Sequence, residues 1–188
     1  MTPPDSDFRG QFLHHCRREA ESYRGLAERA LAQVSDAEFF ASLETETNSL
    51  AVQVKHLGGN LRSRWRDFLT TDGEKADRDR DSEFIITPED TRASLMALWA
   101  AGWGELAGTL EALRPEDLGA TVVIRSEPHA AVQAILRQLA HTAYHVGQIV
   151  QLARHWRGNS WQTLSVPRGG SEEFNRRMRE RFAGTSST

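Results

Sequence analysis

The 188-residue sequence predicts an all-α protein, a four-helix bundle with one or two long crossover connections. Four stretches repeat apolar residues at three- and four-residue intervals, the spacing of a helix with one buried face. Proline, glycine and N-cap residues separate them, and only one short β-branched run, Thr121 to Arg125, departs from the pattern. A hydrophobic content of 39% and a charged content of 26% are those of an ordinary globular domain, long enough to bury a core unaided.

The first helix is predicted over residues 7–34, after Pro3 and Pro4, with Phe8, Phe12, Cys16, Tyr23, Leu26, Ala30 and Val34 along its inner face. The second is predicted over residues 49–69, capped by Asn48 or Ser49. Its stripe is Leu50, Val54, Leu57, Leu61, Trp65 and Phe68. The third opens at Thr87-Pro88, read as a cap followed by proline at the first helical position. It carries Leu95, Leu98, Trp99, Leu106, Leu110 and Leu113 and stops before Pro115, and Trp65, Trp99 and Trp103 are expected in the core. The fourth runs from near Pro128 to near Trp156, with Gly158 as its stop signal. Residues 72–83 hold six acids and three bases and read as an exposed loop. Thr121 to Arg125 reads as a brief strand pairing with Phe84-Ile85-Ile86 in a side ribbon. Residues 1–160 therefore form the bundle, and residues 161–188 a tail packed on it or on a partner subunit.

Charge and cysteine usage narrow the function classes. A net charge of -3 argues against nucleic acid or an anionic membrane as partner. Arg176, Arg177, Arg179 and Arg181 interleave with Glu172, Glu173 and Glu180, the pattern of a solvated face. The lone Cys16 forms no internal disulfide, the first residues lack a basic start and an apolar run, and no stretch approaches a membrane span of roughly 18 apolar residues. The expectation is a soluble cytoplasmic protein.

Two motifs carry chemistry. HTAYH places His141 and His145 one helical turn apart on one side, where two imidazoles can reach one ion. VKHLGGN supplies His56 as a third ligand. Helical rotation sets Gln138 and Gln148 on the flank of the histidine pair, and Asn60 and Arg64 beside His56. On spacing alone, surface placement or packing explains these histidines as well as metal binding does. His14, His15, His129 and His155 read as solvent-facing or helix-end residues. Gly58, Gly59 and Gly147, each costing about 1 kcal/mol of helix propensity, suggest close backbone approach or room for a ligand.

The segments NSLAVQVKHLGGNLRSRWRDFLTTDGEK and RQLAHTAYHVGQIVQLARHWRG resemble the DinB/YfiT-like superfamily, and in particular one of its uncharacterised bacterial subfamilies. The resemblance extends through TVVIRSEPH and SWQTLSVPRGGSEEFN and so covers almost the whole chain. It implies a DinB-type four-helix bundle with His56, His141 and His145 as ligands of one divalent ion, zinc or nickel first, manganese or iron as alternatives. Three neutral imidazoles leave coordination positions open, as catalytic sites do. Relatives that act on low-molecular-weight bacterial thiols imply a metal-dependent thiol S-transferase or detoxifying enzyme. A metal-dependent hydrolase and a non-catalytic stress-response protein are the alternatives. Arg62 and Arg64 are then candidates for binding substrate carboxylates, Asn60, Gln138 and Gln148 for positioning water or ligand, and Tyr144 for donating a proton. The resemblance also implies a homodimer, with the tail as candidate contact.

Overall fold

The computed structural model describes residues 5–183 and is mostly helical. Six α-helices and one two-stranded hairpin are present among these residues. The four long helices are α1 (Asp5–Leu31), α3 (Leu50–Trp65), α4 (Arg92–Ala112) and α5 (Ala131–Arg157). The short ones are α2 (Asp36–Phe40) and α6 (Ser171–Phe182), and β1 (Thr121–Ile124) pairs with β2 (Glu127–Ala130). Pro3 and Pro4 lie outside the described residues.

Helix α3 packs along α4 and α1 along α5, while α5 also meets α3 on the side that carries the histidines. A single apolar core joins the four long helices, with Trp65, Trp99 and Trp103 fully buried in it. Helices α3 and α4 approach closely at Gly58 and Gly102, where a Cβ on Gly102 would overlap the Gly58 carbonyl oxygen. Gly58 thus serves close backbone approach, whereas Gly147 faces open space. Among the described residues no helix is long and apolar enough to cross a membrane.

Several boundaries depart from expectation, each for a local reason. Ser49, the cap of α3, accepts a hydrogen bond from the Val52 N–H at 3.2 Å as expected. The helix stops at Trp65, since Asp67 turns at φ 50° and folds Phe68 back to stack on Trp65 at 4.6 Å. Thr87-Pro88 does not start α4. The Thr87 N–H donates to Asp90 at 2.8 Å, closing a separate turn. Thr91 is the cap, joined reciprocally to Ser94. Pro128 lies in β2, not at the head of α5. The strand's partner is Glu127–Ala130, not Phe84-Ile85-Ile86. Arg125 and Ser126, at φ 54° and 64°, make a turn tight enough for the chain to pair with itself. Helix α1 ends at Leu31, and Ser35 and Glu38 form a capping box that starts α2 and buries Phe39. Gly158, at φ 50°, terminates α5 where expected.

After α5 the chain leads through Trp161 and Leu164, both packed against the core, into the exposed α6. Arg176 there pairs with Glu173 and Glu180, as their interleaving suggested.

Candidate metal centre

His56 projects from the middle of α3 toward His141 and His145 on α5. One ligand nitrogen from each of the three lies within 4.8 Å of the others, with His56 and His145 buried and His141 half-buried. The Nε2 atoms of His141 and His145 are 3.0 Å apart. Two nitrogens bound at about 2.0–2.1 Å to one ion lie roughly 3–3.4 Å apart, so the pair is already close to a shared-ligand spacing.

The outward nitrogens of two of the rings are engaged, which directs the others inward. His56 Nδ1 donates to Glu83 at 2.9 Å, and His145 Nδ1 donates to the Gln53 side-chain oxygen at 2.7 Å. Gln53 is held in turn by donating its amide to Gln148. Carboxylate and amide partners of this kind fix ring orientation and tautomer in metal sites and make the free nitrogen a better ligand. Burial foremost, then the neighbouring imidazoles and, for His141, Arg64 and Arg78, hold His141 down to about 3 and His145 down to about 4. Both rings are therefore neutral at physiological pH, as ligands must be. The donor set fits a divalent ion of the imidazole-preferring kind.

Glu83 belongs to the loop expected to be exposed throughout, yet it is only 5% exposed. Arg78, five residues earlier, clamps it with two bonds of 2.8 and 2.9 Å. Burial pushes the Glu83 carboxyl up, but the bonds from His56 and Arg78 prevail and hold it below the usual range. Gly59 makes this possible, because a Cβ at that position would overlap the carboxylate. The second glycine of VKHLGGN thus makes room for the partner of His56.

A cleft of about 200 Å³ opens beside the histidines, with Asn60 and Gln138 among its lining residues. Five arginines also line it: Arg64, Arg78, Arg80, Arg125 and Arg137. Of the residues marked by the sequence, Asn60, Arg64 and Gln138 fall in this cleft. Gln148 acts through Gln53. Tyr144 is 65% exposed, its ring edge-on to His145. Arg62 lies outside the cleft lining, in a neighbouring groove. His14, His15 and His155 are exposed as expected, but His129 is buried, because the hairpin folds it inward near Arg137.

Gln53, Glu83, Arg78, Arg125 and Arg137 are absent from the set that the motifs mark. Gln53 left a trace, a polar residue inside the apolar run LAVQV three positions before His56. Glu83 left none, since its place depends on a loop folding back over α3.

A family model described as a protein of unknown function (DUF1572) matches residues 7–170. The chain belongs to this family. The stretch matched to DUF1572 includes the three histidines, Gln53, Glu83 and all five cleft arginines, and ends just before α6. No curated protein matches the chain.

Proposed function

We propose that this protein is a DinB-type four-helix bundle acting as a metal-dependent thiol S-transferase, a detoxifying enzyme that uses a low-molecular-weight thiol. The observation that carries this reading is the placement of three imidazoles at the edge of an arginine-lined cleft. A zinc or nickel ion held by His56, His141 and His145 would lower the pKa of a bound thiol enough to make it nucleophilic at neutral pH. The thiol sulfur then forms a bond to the electrophilic carbon, the leaving group departs with its electron pair, and the thiol proton passes to solvent.

The chain's own residues supply the surroundings. Glu83 and Gln53 hold their rings in the tautomer that presents Nε2. Asn60 and Gln138 offer polar groups to the ligand beside the histidines. Glu83, the carboxylate next to His56, is already engaged by two partners, which favours thiol chemistry over a hydrolase that needs a free general base. The test is metal analysis of the purified protein together with turnover of bacterial thiols and monochlorobimane. Stoichiometric metal, lost in His56→Ala and His145→Ala, and metal-dependent conjugate formation are expected. Full metal retention in both variants overturns the ligand set, and turnover of activated esters without thiol assigns a hydrolase instead.

A further inference from the structure

The chain carries 23 basic against 26 acidic residues, yet five of its arginines converge on one cleft. Their carboxylate partners do not balance them. Glu83 is taken by Arg78 and His56. Glu74 is shared between Arg78 at 3.1 Å and Arg125 at 3.2 Å. Arg80 pairs with Asp81 at the surface.

Two guanidinium groups are left over. Arg64, its side chain only 11% exposed, comes no nearer to a carboxylate than 4.0 Å from the already shared Glu74, and its buried Nε has no hydrogen-bond partner. Arg137, at the rim, donates only to the His129 ring at 3.4 Å. Burial, then Arg137 and Arg78, pull the Arg64 guanidinium down to about 10, the mark of a cation among cations. A nearly buried charge without a counter-charge is costly, and the cost is relieved when an anion enters. Gly73 leaves the room that the Arg64 side chain occupies: a Cβ there would lie 2.8 Å from its Cδ. The buried Asn60 Oδ1, also in the cleft lining, has no donor.

We infer that the cleft is an anion-binding subsite: Arg64, with Arg125 and Arg137 at the rim, seats a compact oxyanion of the substrate, a dicarboxylate or a phosphate, beside the three histidines. Asn60 Oδ1 accepts from an N–H or O–H of the same ligand. Guanidinium groups suit both oxyanions because their paired N–H groups match two oxygens at once. The inference deepens the proposed function by naming the substrate's chemical class, and it rests on that reading only in taking the cleft as the substrate site.

Calorimetric titration with succinate and with inorganic phosphate, at matched ionic strength, tests the subsite without thiol, electrophile or turnover. At least one anion is expected to bind, and to bind equally after chelator treatment. Affinity should fall at least about tenfold in Arg64→Gln and severalfold in Arg137→Gln, with Arg62→Gln as the unchanged control. Succinate alone binding assigns a dicarboxylate, phosphate alone a phosphoryl group, and both assign the shared chemistry. Should Arg64→Gln fail to fold, the exposed Arg137→Gln still reports. Binding that vanishes on chelation, that survives both substitutions unchanged, or that is absent for both anions overturns the inference. Anion binding without any thiol turnover leaves the subsite standing and removes the transferase reading alone.

Discussion

The bond from His56 Nδ1 to Glu83 is the most consequential single contact at the residue scale, because it couples a candidate ligand ring to a buried carboxylate that Arg78 also needs. Glu83→Gln retains the shape but weakens the acceptor, and metal affinity is expected to fall about 10–100-fold in competition with a chelating dye. Glu83→Ala also leaves Arg78, whose side chain is 5% exposed, with only the shared Glu74 as partner, and should destabilise the metal-free protein by about 1.5–3 kcal/mol in denaturant unfolding. An Ala variant as stable as wild type contradicts that account. The depressed histidines give a pH signature. Their rings protonate near the ordinary 6.5 in the unfolded chain but only near 3 and 4 in the fold. The unfolded state therefore takes up more protons as pH drops below 6.5, and stability falls through that window, while above it both states are neutral and nothing changes. The denaturation midpoint of metal-free protein should drop between pH 7 and 5, and drop less in a His141→Gln, His145→Gln double variant; superimposable profiles refute this. At this scale the motifs VKHLGGN and HTAYH made the histidines legible, because helical spacing is a local property. Glu83 was illegible because it reaches His56 across 27 positions of chain through a loop with no period.

Among the elements, the helices were legible where their faces are amphipathic, and their ends were not. Thr87-Pro88 has the form of a helix start, but Asp90 competes for the Thr87 N–H and hydroxyl and leaves the start to Thr91. Thr91→Ala is accordingly expected to cost about 1 kcal/mol, read as a lowered unfolding midpoint. An unchanged midpoint argues against this cap. The hairpin shows the same competition: pairing of β1 with its immediate neighbour outranks pairing with a distant apolar segment, because closing the short loop costs less entropy. Gly59 sets a helix's preference against the site's need. Alanine there improves helix propensity by about 1 kcal/mol, but its Cβ overlaps the Glu83 carboxylate. Gly59→Ala should therefore lower metal affinity severalfold, measured in the same dye competition, without a gain in stability.

For the molecule as a whole, the apolar core runs through all four long helices and does not depend on the histidines for its continuity. Removing the ion is therefore expected to leave helical circular dichroism intact and to lower the melting temperature only by the lost binding free energy, which grows with free metal concentration. Collapse of the helical signal on chelation would make the ion structural instead. The core was legible from composition and stripe, tryptophans included. The arginine cleft was not, because its members come from α3, the loop after it, the hairpin and α5, and only the assembled fold brings them together.

The segment between α3 and α4 is tied down along its length. Asp72 accepts the backbone N–H groups of the hairpin turn at Arg125 and Ser126, Gly73 donates to Val123, Glu74 accepts from both Arg78 and Arg125, and Glu83 ends on His56. Surface loops ordinarily absorb inserted and deleted residues without harm. This one is a ruler: its residue count between Asp72 and Glu83 sets where the last carboxylate lands. Length changes there should be as damaging as loss of a ligand, while the stretch beyond Leu164, just before α6, tolerates them. A library of single-residue insertions scored for metal retention would trace that boundary along the chain.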